Sequence, residues 1–266
     1  MAIKDITLGQ FYPAESPVHR LDPRTKIIGT MLFLVSLFLV NKMGGFALCL
    51  ALLAFVVAVS KIPLSYIFRG LKPVLALIVL TMLINMFLSD GEPLWSFAFL
   101  KLTKEGIYRA AFMAIRLVLL IFGTTLLTLS TKPISLTDGL ERLLKPFSRL
   151  GMPAHELAMM MSISLRFIPT LMEETDRIMK AQTARGADFE SGNLMQRAKS
   201  LIPLLVPLFV SAFRIASELA MAMEARCYHG GEGRTRMNPM VFARGDLYAL
   251  LVMTAYLAAI IFVPVF

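Results

Sequence analysis

No aspartate or glutamate falls inside any of the longest apolar runs of this 266-residue sequence. Ion-coupled carriers and pumps bind and release protons or sodium on intramembrane carboxylates, so this absence argues against such a relay. Histidine is also scarce: His19, His155 and His229 are far apart. A metal centre needs several nitrogen, sulfur or oxygen ligands brought together, and no resident metal is expected. His155-Glu156 begins like a zinc-protease helix, but the position of the second histidine is Met159. No phosphate-binding loop of the form GxxxxGK[ST] occurs, which excludes ATP hydrolysis by that route. No GxSxG nucleophile elbow is present, and no catalytic residue is expected. The two cysteines sit in unlike surroundings, Cys49 in an apolar block and Cys227 in a polar one. A disulfide needs their Cα atoms within ~7 Å, so two reduced thiols are expected.

What is abundant is apolar sequence. Hydrophobic residues make up 57% of the chain and mean hydropathy is +0.69, against ~45–50% apolar in soluble domains. The excess lies in blocks, the form that membrane spans take. Net charge is +9. The basic residues form no aromatic-interleaved patch, so the partner they imply is the cytoplasmic side of a bilayer and not nucleic acid. Residues 1–26 are mixed polar, with Asp5, Glu15 and Asp22, and do not read as a signal peptide.

Four charge-free runs come close to the ~17–25 residues of a span: 27–41, 43–60, 73–89 and 247–266. A fifth, 117–131, is extended backwards by 106–115, with Arg109 and Arg116 inside it. Arg109 would reach the outer interface and Arg116 would snorkel or meet backbone carbonyls; partner contact is the alternative. Lys42, with Gly44 and Gly45, implies a tight turn. Two blocks are ambiguous: 156–172, interrupted by Arg166, and 200–223, interrupted by Arg214 and Glu218.

Charge bias orders these blocks. Segments 1–26 and 61–72 carry four and three Lys/Arg, the latter without an acid, and belong inside; 42 and 90–105 belong outside. If both ambiguous blocks crossed, Arg177, Lys180, Arg185, Arg197 and Lys199 would lie outside; if one crossed, Arg226, Arg234, Arg236 and Arg244 would. The reading that obeys the bias is an all-α protein of about five spans in the cell membrane, N-terminus cytoplasmic. Residues 1–131 hold the N-terminal segment and spans one to four. Residues 132–245 form a cytoplasmic or membrane-surface module of long amphipathic helices, and 246–266 the last span.

Within that module Pro153 opens a helix that stops at Arg185-Gly186, where glycine supplies a left-handed cap. Pro169 is a candidate kink. A second helix runs from about 201 to 226 and stops before Gly230-Gly231. The two ends are alike: Ala184-Arg185-Gly186 and Ala225-Arg226-Cys227. A last-turn arginine is favoured by the helix dipole by ~0.3–1 kcal/mol, which explains either one alone. Two of them present two guanidinium forks, and small neighbours let a fork enter a groove and meet carboxylates bidentately. The module's many methionines, among them Met159, Met160, Met161, Met221 and Met223, fill a core or form an adaptable contact surface.

These tripeptides, about forty residues apart, resemble the paired Ala-Arg-Gly coupling motifs of the transmembrane T component of energy-coupling factor transporters, the family that includes the T protein of cobalt uptake systems. Cys227 stands where Gly or Ser is usual. The stretch Asp22-Pro23-Arg24-Thr25-Lys26 resembles the family's N-terminal Asp-x-Arg-x-Lys entry; helix capping by Asp22, with Arg24 and Lys26 as interfacial anchors, also explains it. The resemblance implies two ATP-binding-cassette ATPases beneath the module, holding ATP and Mg²⁺ that this chain does not bind. Arg185 and Arg226 would dock in their grooves. It also implies a small substrate-binding membrane S component, for vitamin or metal uptake. The rival readings are an ion-coupled secondary carrier and a membrane-embedded enzyme.

Overall fold

The computed structural model describes residues 11–88, 93–97, 100–189, 193–230 and 241–262. The end of the last apolar run at 263–266, the acids Asp90 and Glu92, the second glycine at 231 and the basic positions Arg234 and Arg236 lie outside the described residues. Among the described residues the regular structure is helical apart from one small hairpin, in keeping with the all-α expectation. The chain divides into two units.

The first unit comprises residues 11–142 and 241–262. It begins with a single helical turn, α1 (Pro17–Arg20), followed by α2 (Pro23–Leu39), α3 (Gly45–Ser60), α4 (Leu64–Leu71) and α5 (Leu75–Leu88). Strands β1 (Pro93–Phe97) and β2 (Leu100–Thr103) form an antiparallel pair with Phe97 opposite Leu100. Then come α6 (Lys104–Ser130), α7 (Pro133–Leu144) and, from the far end of the chain, α11 (Arg244–Phe262). Helix α6 is central and packs against α2, α3, α4 and α5, while α11 packs against α2 and α3. The buried core includes Phe33, Leu37, Phe46, Leu53, Ile67, Leu119 and Leu126. The approach of α6 to α2 depends on Gly123: a Cβ there would stand 2.8 Å from the Phe33 ring.

Among the described residues, four helical stretches are long and apolar enough to cross a membrane: Leu64–Phe87, Lys104–Ser130, Ile202–Glu224 and Arg244–Phe262. Gly45–Ser60 is a shorter apolar helix. Length and composition therefore admit 202–224 as a span, where charge bias kept it out. The 61–72 segment, expected as a loop, is mostly helix and runs on into α5 through a 3₁₀ turn at Lys72–Val74. The turn after α2 is tight as expected; a Cβ on Gly45 would lie 2.7 Å from Val40.

Arg116 meets a backbone carbonyl of its own chain. Its Nη2 donates to the Val40 carbonyl (2.9 Å), the C-terminal end of α2, and its guanidinium lies over Phe112 and Phe38 at 4.8 and 5.6 Å. An orphan helix carbonyl and two ring faces thus meet part of this cation, while its Nε is buried without a hydrogen-bond partner among the described residues. Arg109 is exposed.

The second unit comprises the described residues 143–230. It is built on α8 (Ala154–Ala184), α9 (Leu194–Ser200) and α10 (Ile202–Glu224). Pro153 precedes the first turn of α8 by one position, at the N-cap, and Pro169 lies inside a helix that continues through it. Helix α8 is ~46 Å long and α10 ~35 Å at 1.5 Å per residue.

Candidate functional site

Two groups of charged residues stand out, one in each unit. In the membrane unit the Asp22–Lys26 stretch opens α2. Asp22 is its N-cap: Oδ1 accepts the Arg24 N–H (2.9 Å), and Pro23 occupies the first helical position where no N–H is needed. Arg24 also grips the same carboxylate with Nε (3.1 Å) and Nη2 (2.8 Å), while its guanidinium stacks 4.5 Å from the Phe242 ring. Burial pushes the Asp22 carboxyl up, but the Arg24 hydrogen bonds and charge, with Arg142, outweigh it and hold it below the usual carboxylate range.

Asp246, which sequence reasoning missed, completes this group. It is 1% exposed. One oxygen accepts the backbone N–H of Asp22 (2.8 Å), and the other accepts the N–H of Ala243 (2.8 Å) at the start of α11. The second bond is half of a capping box, an acid in the first turn reaching back to the N-cap N–H. The first bond ties together residues 224 apart in sequence.

Lys26 is not the interfacial anchor its position suggested. It is 9% exposed and donates to the carbonyls of His19 (3.1 Å) and Ser130 (2.8 Å), the last turn of α1 and the last residue of α6. An ammonium on helix C-terminal carbonyls is favoured by their unpaired lone pairs and by the dipole. Burial pulls it down to about 8, against the charges of Asp246 and Asp22. Asp22, Lys26 and Asp246 therefore pin the beginnings of α2 and α11 and the ends of α1 and α6 at one edge of the unit.

In the second unit both arginine tripeptides are exposed. Each closes its helix with the same hydrogen bonds. After α8, Gly186 N–H donates to Thr183 C=O and Ala187 N–H to Gln182 C=O, each 3.0 Å. After α10, Cys227 N–H donates to Glu224 C=O (2.8 Å) and Tyr228 N–H to Met223 C=O (3.1 Å). This is the Schellman termination, in which the residue following the arginine takes positive φ. Gly186 has φ +89° and Cys227 has φ +55°. Cysteine's departure from glycine therefore bears on backbone conformation and not on bulk, because a Cβ in the left-handed region is disfavoured.

The two motifs are not brought together. Gln182 near the end of α8 donates to Pro203 at the start of α10 (3.4 Å), and mid-helix Ser211 donates to Glu174 (3.3 Å). Met159 near the start of α8 lines a cavity of about 430 Å³ with Arg226, Cys227 and Tyr228. The helices are antiparallel, so Arg185 and Arg226 sit at opposite ends, separated by roughly 40 Å of helix axis between Met159 and Arg185. Among the described residues neither arginine forms an ion pair. No group of three His, Cys, Asp or Glu suited to a metal gathers among the described residues.

Helices of membrane-spanning length and composition, with Asp22, Lys26 and Asp246 buried at helix ends, define an integral membrane protein. The family described as "Cobalt transport protein" matches residues 14–237. The chain is 57% identical over 251 residues to the energy-coupling factor transporter transmembrane protein EcfT of Clostridium kluyveri, covering 94% of this chain and 93% of that one. It is 57% identical over 249 residues to the protein of the same description from Thermosediminibacter oceani, 94% of each. The Bacillus subtilis protein so described is 49% identical over 256 residues, 96% of each. The chain belongs to this family, the transmembrane T components of energy-coupling factor transporters.

Proposed function

We propose that this subunit transmits ATP-driven motion from two cytoplasmic ATP-binding-cassette ATPases to a substrate-binding membrane S component that carries a vitamin or metal ion. The observation that carries this reading is the paired helix end. Arg185 and Arg226 close antiparallel helices in the same way, both exposed and both without an acidic partner among the described residues. An antiparallel pair has approximate two-fold symmetry, which matches two related ATPases, one at each end. Each guanidinium would pair with carboxylates in an ATPase groove. ATP and Mg²⁺ would be held by those subunits. The exposed apolar face of α10, with Phe209, Val210 and Phe213, would contact the S component. In this reading the N-terminus and the α8–α10 module are cytoplasmic, since only then do the basic segments stay inside.

The test is ATP-driven uptake by the reconstituted complex. Arg185→Ala with Arg226→Ala should abolish uptake and release the ATPases on purification, because removing one partner of a buried ion pair costs ~3–5 kcal/mol. Undiminished uptake in the double variant would sink the proposal. Uptake into liposomes by this chain alone would favour a self-sufficient carrier. Loss of activity on replacing His155 and Glu156 with alanine would favour an enzyme. Cysteine labelling of positions 61 and 185 from the cytoplasmic side checks the orientation.

A further inference from the structure

The membrane unit contains a cleft of about 450 Å³ between α2, α3, α6 and α11. Its walls are almost wholly apolar and include Gly29, Phe33, Val56 and Met253. At one end, where α2 and α11 begin and α6 ends, the lining turns polar with Thr25, Lys26 and Ser130. That end is under-satisfied. The Lys26 ammonium has three N–H donors, and two carbonyls take two of them. The Thr25 hydroxyl is buried without a hydrogen-bond partner, in a residue only 4% exposed. A buried hydroxyl and a buried ammonium donor each lose hydration that no hydrogen bond among the described residues replaces.

We infer that this cleft holds one anionic phospholipid, its acyl chain running between α2 and α11 past Gly29 and Met253, and its phosphate accepting from Lys26 Nζ and Thr25 Oγ1. Shape and charge agree on this occupant. The apolar walls exclude a hydrated ion. At one end the third Lys26 donor and the Thr25 hydroxyl favour an oxygen acceptor, which a phosphate supplies with its charge next to the ammonium. Gly29 and Met253 both line the cleft, and a Cβ at position 29 would already touch Met253 at 3.8 Å, so a larger side chain there intrudes on it. The orientation proposed above makes the leaflet cytoplasmic, but the site itself needs only a leaflet at the Lys26 end.

The experiment uses the full chain in nanodiscs doped with phosphatidylglycerol or phosphatidylcholine, each bearing a photoactivatable acyl chain, with labelled peptides mapped. Phosphatidylglycerol should label the Phe33 and Met253 segments about tenfold more than phosphatidylcholine, a factor that ~1.4 kcal/mol supplies. Gly29→Leu should fill the cleft and reduce labelling to the level of the lipid-facing α5. Thr25→Val, which keeps shape and removes the hydroxyl, should narrow the headgroup preference several-fold with the labelled positions unchanged. Equal labelling by the two lipids, unchanged labelling of Gly29→Leu, or labelling confined to α5 each overturns the proposal. So does complete protection by an added S component, which would make the cleft a protein contact. Cysteine accessibility in the same nanodiscs separates a failed orientation, which leaves labelling intact, from a failed lipid site.

Discussion

The two charged regions of this molecule have opposite fates. The Asp22–Lys26 group faces inward, and every charge there meets a partner from its own chain. The Arg185 and Arg226 ends face outward and meet none among the described residues. Sequence motifs of similar strength thus do different work. Buried, desolvated and hydrogen-bonded charges hold helices in register, and their loss leaves orphans. Exposed helix-terminal arginines cost the fold almost nothing, so their placement is free to serve a partner. Stability and uptake should therefore separate cleanly between the two regions.

The largest effect on stability should come from Asp246→Ala. It strands the N–H groups of Asp22 and Ala243 and removes a charge that favours the Lys26 ammonium. Hydrogen bonds to a charged group contribute ~1.5–3 kcal/mol each, so a loss of roughly 3 kcal/mol is expected. Thermal unfolding in detergent reads it. Asp246→Asn, which keeps one acceptor, should recover part of the loss; a melting curve unchanged in the alanine variant would show that the two helix beginnings are not tied there.

A smaller change distinguishes the two coupling ends from each other. Cys227 adopts φ +55° where Gly186 adopts +89°. Left-handed backbone costs a non-glycine residue ~1–2 kcal/mol, and glycine gives some of that back as entropy in the unfolded chain. Cys227→Gly should stabilise the α10 end by about 0.5–1 kcal/mol, and Gly186→Cys should destabilise the α8 end by a similar amount. Hydrogen–deuterium exchange at Tyr228 and Ala187, whose N–H groups close the two terminations, measures each locally. Unchanged protection in both variants would mean that the residue after the arginine bears no left-handed strain at these ends.

Smaller still is the stability effect of Arg185→Ala or Arg226→Ala, expected within ~0.5 kcal/mol because both are exposed. The comparison is sharpened by pairing that null melt with uptake, which the double variant should lose. A variant that unfolds instead would move these arginines into the class of Asp246.

How much of this was legible in sequence follows from separation along the chain. Asp22 as a cap with Pro23 behind it, and the stops at Arg185-Gly186 and Arg226, are local patterns that a few neighbouring residues determine. Asp246 carried a local signal, an acid in the first turn of a helix, but its bond to Asp22 spans 224 positions and no local pattern encodes it. Lys26 read as an anchor because its neighbours are basic; its burial depends on where α1 and α6 end. The antiparallel pairing that parts Arg185 from Arg226 is likewise tertiary. The left-handed φ at Cys227 was hidden because composition there suggested only a compact residue. The β1–β2 hairpin and the helical 61–72 segment escaped because charge bias assigns sides and not local structure.

The smallest effect is a pH dependence at the N-terminal edge of the inward-facing group. His19 Nε2 lies 3.1 Å from the Tyr12 carbonyl, which can only accept, so that nitrogen carries the proton. Nδ1 then accepts from the Ser16 hydroxyl at 2.7 Å, which fixes a neutral imidazole. Burial and the nearby Lys26 charge lower its pKa below the ordinary histidine value, against the raising effect of the Tyr12 and Leu129 carbonyls. A depressed folded-state value means the unfolded chain binds the proton more readily. The contribution is complete above the ordinary value near 6.5 and fades as pH falls through the lower, folded one. Melting temperature should fall on acidification across that range, and His19→Gln, which keeps a donor and an acceptor without titrating, should flatten this part of the profile. A profile identical to the parent's would show that His19 is not the titrating group and that the edge held by Lys26 is insensitive to it.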